Sequence, residues 1–211
     1  MSAPRGALAG LRGRAAGVAG GPAVLAALVA WNVGNYVFFL AAGRMLGPED
    51  FGMAAALLAV TVIASVPGNA LQYGIARSVA ATSGPGGGVS AAVYRRAWRG
   101  SLRLAAASGA VAAAGVLVAG AVVGAPVGPL LLTVAIILPM GPLFLSLGQL
   151  QGERRYTGYA ATFALWGVPR PALLVPLAAL GLGVSAALGA TALALLAAAG
   201  TGALLTAPRL R

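Results

Sequence analysis

Residues 22–43 and 51–74 contain no charged side chain, and one short break, Arg44-Met45-Leu46-Gly47-Pro48-Glu49-Asp50, separates them. At about 1.5 Å of rise per residue, each run is long enough to cross a hydrocarbon core of about 30 Å. Lipid offers no partner to backbone amides, so a run that spans must satisfy its own hydrogen bonds and is helical. Proline restricts the residue before it and cannot continue a helix from its interior, so Gly47-Pro48 forces a turn. Glu49 and Asp50 then fall in the first turn of the next helix, where carboxylates meet free amide donors. The spacing predicts a tight helical hairpin with Arg44, Glu49 and Asp50 at its rim.

Four more runs qualify as spans, at about 103–124, 127–149, 157–179 and 183–206. Gly124-Ala125-Pro126 divides the third from the fourth, and Gly181-Leu182-Gly183 the fifth from the sixth. Of the 211 residues 60% are hydrophobic and only 8% charged, against about 25% charged in a soluble domain. Such a chain lacks the surface to stay in water. Its alanine runs are interleaved with Leu, Val and Ile, which excludes a disordered low-complexity chain. The expectation is an all-α polytopic membrane protein: a cytoplasmic segment over 1–21, a six-transmembrane-helix bundle over 22–206, and a cytoplasmic tail over 207–211. The run at 22–43 is longer than the apolar part of a signal peptide and reads as a retained first helix.

The net charge is +11, and every basic residue is arginine. In a soluble protein that excess would suggest nucleic acid. Here the arginines sit between apolar runs: Arg5, Arg12 and Arg14 at the start, Arg77, Arg95, Arg96, Arg99 and Arg103 around the second connection, Arg154 and Arg155 in the fourth, Arg209 and Arg211 at the end. The third and fifth connections carry no charge, and the first carries one arginine against two acids. By the positive-inside rule this predicts a multi-pass protein of the cell membrane, N-in and C-in, with no nucleic-acid partner. The stretch 91–103 reads as a basic interfacial helix that meets anionic membrane lipids, or as plain positive-inside anchoring. Residues 81–88, ATSGPGGG, read as a flexible loop. Cysteine and histidine are absent and there are three acids. Thiolate and zinc sites, Ser-His-Asp triads and most paired-carboxylate chemistry are thereby excluded, and no metal, cofactor or enzymatic activity is expected.

Polar groups inside a membrane usually face a bundle interior or a cavity. Asn32, Asn35 and Tyr36 stand at i, i+3 and i+4 of the first span and so share one face. Ser65, Asn69, Gln72 and Tyr73 form a similar stripe in the second, continued by Arg77. Each amide can act as packing glue between helices. Two stripes on one hairpin favour a shared hydrophilic surface. Arg170 lies deep in the fifth span, between Pro169 and Pro171, at an insertion cost of at least about 2.5–3.5 kcal/mol and with no acid in any span to offset it. It must reach water, a carbonyl freed by the prolines, an anionic ligand such as a phosphate, or the outer face by snorkelling. Pro67-Gly68 in the second span and Pro139, Gly141 and Pro142 in the fourth read as bends or unwound turns, of the kind transporters use for gating. Gly152 reads as a turn former closing the fourth span after Gln149 and Gln151.

Several of these stretches, taken in order, resemble one family. They are the hairpin Arg44-Met45-Leu46-Gly47-Pro48-Glu49-Asp50-Phe51-Gly52; the pair Ala76-Arg77; Gly148-Gln149-Leu150-Gln151-Gly152 followed by Arg154-Arg155-Tyr156; and Arg170 with Leu180-Gly181-Leu182-Gly183-Val184. Over about residues 20–206 the chain is similar to the N-terminal half of a polysaccharide or lipid-linked oligosaccharide flippase of the multidrug/oligosaccharidyl-lipid/polysaccharide exporter superfamily. The resemblance implies translocation of an anionic isoprenoid-diphosphate glycolipid by alternating access. It makes Asn32, Asn35, Tyr36, Asn69, Gln72, Arg77 and Arg170 candidates for substrate binding, and Pro67, Pro139, Pro142, Pro169 and Pro171 candidates for gating. Family members have twelve to fourteen spans in two lobes, so one lobe implies a homodimer, a separately encoded second lobe, or a truncated product without transport. A multidrug-type exporter lobe and a noncatalytic scaffold are the alternatives. The first more often carries an intramembrane acid, which is missing here.

Overall fold

The computed structural model describes residues 5–82, 91–123 and 125–207, and side chains from residue 21 onward apart from 82, 91–97, 101, 105 and 122–123. Residues 83–88 of the expected flexible loop, the side chains of Arg5, Arg12, Arg14, Tyr94, Arg95 and Arg96, and the tail beyond 207 lie outside the described residues. Among the described residues seven helices form the fold: α1 (Arg5–Met45), α2 (Pro48–Thr82), α3 (Ala91–Val123), α4 (Val127–Gly152), α5 (Tyr156–Gly167), α6 (Pro169–Ala179) and α7 (Val184–Thr206). Together α5 and α6 make one span, so six segments are long and apolar enough to cross a membrane. The protein is an all-α, six-helix bundle of the multi-pass membrane type.

The helices start and stop where their local chemistry requires. Glu49 and Asp50 occupy the first turn of α2. α4 ends in a Schellman motif: the Arg155 N–H donates to the Leu150 carbonyl at 2.9 Å and the Arg154 N–H to that of Gln151 at 3.1 Å. Arg154 takes the left-handed conformation this needs, at φ 59°. Gly181, at φ 74°, also takes the left-handed conformation after α6, its N–H donating to the Ala178 carbonyl at 2.9 Å. Where the structure departs from expectation, helices run longer. α1 reaches back to Arg5 and α2 on to Thr82, so parts of the expected N-terminal segment and second connection are helical. The basic stretch 91–103 and the third span form one helix, with no turn at which the basic part could fold onto the surface.

Two connection ends are distinguishable. Asp50 approaches the α6–α7 turn, its Oδ2 2.7 Å from where a Cβ on Gly183 would stand. At the opposite end the Arg155 Nη1 donates to the Leu205 carbonyl at 2.8 Å and pairs with Glu153 at 3.4 Å. The α1–α2 and α6–α7 turns therefore share one end, and the α4–α5 corner lies with the end of α7 at the other.

α4 and α7 are central: half or more of their spanning residues are buried, against fewer than a fifth in α1, α2 and α3. Lipid tails are as apolar as leucine, so helices in a bilayer are held together by close packing more than by water exclusion. The α2–α4 contact shows this directly. A Cβ on Gly148 would lie 2.5 Å from the Gln72 carbonyl oxygen, one on Gly152 2.7 Å from that of Ala76, and one on Gly68 would enter the Phe144 ring. Gly148 and Gly152 are thus a backbone-to-backbone packing face at i, i+4, which corrects the reading of Gly152 as a turn former.

The expected unwinding at prolines is corrected too. α2 and α4 pass through Pro67, Pro139 and Pro142 as continuous helices. The helix is interrupted only at Val168, before Pro169, and even there Val168 keeps helical angles of φ −65° and ψ −41°. There α1 crosses α5 at a second glycine contact: a Cβ on Gly34 would stand 2.7 Å from the Gly167 carbonyl oxygen, and one on Gly167 2.5 Å from the Trp31 ring. Pro171 deprives that same carbonyl of its usual i+4 donor, and the close approach of α1 covers it.

Candidate functional site

α1 and α2 follow each other in the chain but hardly pack together. They meet near their connection, where the Phe51 ring lies 3.8 Å from a Cβ position on Gly43, and share little elsewhere. α1 rests on α5 and α6, whereas α2 rests on α4. Between them opens a cavity of about 830 Å³. Leu28, Trp31, Asn32, Asn35 and Phe39 of α1 form one wall; Thr61, Ser65, Asn69, Gln72 and Tyr73 of α2 contribute to the other. Met140 and Phe144 of α4, Tyr159, Phe163 and Trp166 of α5, Arg170 of α6 and Thr191 of α7 form the floor.

Arg170 is 6% exposed and does not snorkel. Its guanidinium donates to Asn35 Oδ1 through Nη1 and to Thr191 Oγ1 through Nη2, the latter at 3.0 Å. The Thr191 hydroxyl in turn donates to the Ala187 carbonyl at 2.9 Å, which turns its lone pairs toward the arginine. The guanidinium carbon stands 4.2 Å from the centre of the Phe38 ring, a cation–π contact. Arg170 Nε is buried without a partner. Among the described residues every acceptor it has is neutral, and no carboxylate lines the cavity. A buried cation held by neutral dipoles alone remains uncompensated.

The other amides are partly engaged. Asn32 Nδ2 donates to the Leu28 carbonyl at 2.8 Å and Asn69 Nδ2 to that of Ser65 at 3.3 Å. Each keeps its side-chain oxygen and one N–H for the cavity, given that amide orientations follow from hydrogen bonding. Gln72 is buried and bonds Gln151 of α4 at 3.2 Å, so it acts partly as the glue expected of such amides.

The structure therefore gathers Asn32, Asn35, Asn69, Gln72 and Arg170 around one cavity. Tyr36 is not with them. It is 70% exposed on the outer side of α1, because the lined face centres on Trp31 and Asn35, and the step from Asn35 to Tyr36 turns the side chain by about 100°. Arg77 lies one turn past Tyr73, exposed and beyond the lining. Arg44, Glu49 and Asp50 belong to the closed end of the hairpin and not to the wall. Pro67, Pro139, Pro142, Pro169 and Pro171 do not touch the cavity.

The aromatic floor was missed from the sequence. Trp31 lies 5.5 Å from Phe163 and 5.7 Å from Trp166, while Tyr159 stacks on Phe163 at 5.9 Å. Its signal was present: Tyr159, Phe163, Trp166 and Arg170 recur at i, i+4, i+7 and i+11, one stripe across the proline break. Comparison of the chain with family models, curated proteins and solved structures returns no match.

Proposed function

We propose that this bundle is one lobe of a flippase for anionic isoprenoid-diphosphate glycolipids, seated in the cell membrane with both termini on the cytoplasmic side. The observation that carries the reading is the uncompensated Arg170 in a cavity without carboxylates. A diphosphate supplies the charge that the protein withholds, and an arginine fork suits its geometry. Asn32, Asn69 and Gln72 offer amide donors and acceptors to sugar hydroxyls, and the rings of Trp31, Phe163 and Trp166 offer flat apolar faces to pyranose rings. The positive connections favour the inward placement of both ends. Transport by alternating access makes and breaks no covalent bond, so no catalytic residue, metal or cofactor is assigned.

Among the described residues the cavity has no wall beyond α1 and α2. A second lobe, either a second copy of the chain or a separately encoded partner, would complete the passage. A multidrug-type lobe is the weaker reading. The aromatic rings suit a cationic drug, but an unbalanced arginine among them repels one.

The test is flipping of a fluorescent polyprenyl-diphosphate sugar in liposomes that contain the purified protein, read by bleaching with a membrane-impermeant reductant. Bleaching beyond the outer leaflet, lost in Arg170→Gln and partly kept in Arg170→Lys, supports the reading. Bleaching no deeper than in empty liposomes, with the native oligomer intact, would leave the scaffold alternative in its place.

A further inference from the structure

At Arg170 three separate elements meet through polar atoms in the cavity: Asn35 from α1, Arg170 from α6 and Thr191 from α7. The two acceptors are not equivalent. Thr191 is anchored, since its hydroxyl also donates to its own helix at 2.9 Å, and it is 3% exposed on a central helix. Asn35 is half-buried on a peripheral helix, and its amide oxygen has no other partner among the described residues. Both Asn35 and Arg170 line the cavity, so a ligand can reach their contact.

We infer that Asn35 is an internal stand-in for the anionic group of the ligand: a replaceable acceptor that sets the cavity's affinity for anions and, when displaced, releases α1. The inference rests on the reading of Arg170 as the anion site. The guanidinium is charged whichever partner it holds, but a phosphate oxygen shares a negative charge where the amide oxygen is only the end of a neutral dipole, so the phosphate draws Arg170 more strongly. Exchange of the amide for the anion therefore runs forward only when the anion can give up its own hydration cheaply. A diphosphate already anchored by a lipid tail meets that condition better than a free hydrated anion. Asn35 thereby acts as a specificity-determining residue.

The exchange also has a mechanical result. Around Arg170, α1 is held by the Asn35 bond, by the Phe38 ring under the guanidinium and by the glycine crossing at Gly34 and Gly167. Loss of the Asn35 bond removes the polar member of that set. Substrate charge is thus coupled to movement of the cavity wall without an intramembrane carboxylate.

The test compares the full chain, Asn35→Asp and Asn35→Ala in lipid nanodiscs, with geranylgeranyl diphosphate as the probe. An aspartate gives Arg170 a permanent internal anion, so binding should weaken by about tenfold or more; alanine removes the competitor, so binding should tighten by about threefold. Asn35→Asp should melt no lower than the parent, which separates competition from misfolding. The chain has no cysteine, so spin labels at Leu25→Cys and Leu204→Cys report the α1–α7 distance without background. The probe should broaden that distance in the parent, Asn35→Ala should broaden it unaided, and Asn35→Asp should abolish the response. If the parent binds the probe and Asn35→Asp binds it equally well, or if both substitutions weaken binding alike, the stand-in role is refuted while the anion site survives. Absence of binding in the parent overturns both.

Discussion

Gly148→Ala adds one methyl group where α4 meets α2, and the cost follows from the geometry. The new Cβ would lie 2.5 Å from the Gln72 carbonyl oxygen, a backbone atom that no rotamer change can move aside. Ordinary contact begins at 3.4 Å, so the two helices must separate locally by about 0.9 Å. A gap of that size forfeits a quarter to a half of each atom-pair attraction of about 0.1–0.2 kcal/mol, or about 1–3 kcal/mol over a few tens of pairs. Replacing glycine inside a helix returns about 1 kcal/mol, which leaves a net loss of up to about 2 kcal/mol. Gly74→Ala on α2 meets open space and should be neutral or stabilising by up to about 1 kcal/mol. Unfolding by titration of dodecyl sulfate into mild-detergent micelles measures both, with Trp31 and Trp166 of the interior as fluorescent reporters. Gly152→Ala should cost a similar amount alone, but less when added to Gly148→Ala, because the helix has already been lifted away. Equal midpoints for Gly148→Ala and Gly74→Ala would refute the claim that backbone contact holds this interface.

Gly34→Ala, with its Cβ 2.7 Å from the Gly167 carbonyl oxygen, should push α1 off α5, separate Asn35 from Arg170 and lower the detergent-unfolding midpoint by about 1–2 kcal/mol. Arg154→Gly relieves the left-handed conformation at φ 59° and should raise stability by up to about 1 kcal/mol in the same titration. Gly183→Ala sets a side chain at φ 50° against Asp50; it should destabilise by about 1–3 kcal/mol, and Asp50→Ala should restore only the part due to the clash. Reporter fusions at the two ends should both read cytoplasmic in a topology assay, and opposite readings would remove the proposed orientation.

The spans and their punctuation were legible because they depend on local physics. An uncharged run of membrane length has only a helix to become, and Gly47-Pro48, Gly124-Ala125-Pro126 and Gly181-Leu182-Gly183 coincide with helix ends. Helix lengths beyond the membrane were not legible, since α2 and α3 continue through Arg77 and Arg99 where hydropathy alone marks an end. The cavity was half legible. Asn32, Asn35, Asn69 and Arg170 stood out because their burial in lipid is costly. Trp31, Phe163 and Trp166 did not, because an aromatic side chain in a membrane needs no explanation until its neighbours are known. Tyr36 was misplaced because a three-residue stripe defines a face only to within a helical step. Unwinding at the prolines was not legible either way: Pro67, Pro139 and Pro142 each remove a donor, yet α2 and α4 continue through them as helix.

Only Leu46 and Gly47 stand between the end of α1 and the start of α2. However far the two helices swing, that short strap keeps one pair of their tips together. The walls can part only as the arms of a pair of tongs do, widest at the free tips and closed at the joint. The joint therefore closes the gap between α1 and α2 at the end where Phe51 meets Gly43, while Asn69 and Tyr73 line the cavity away from it.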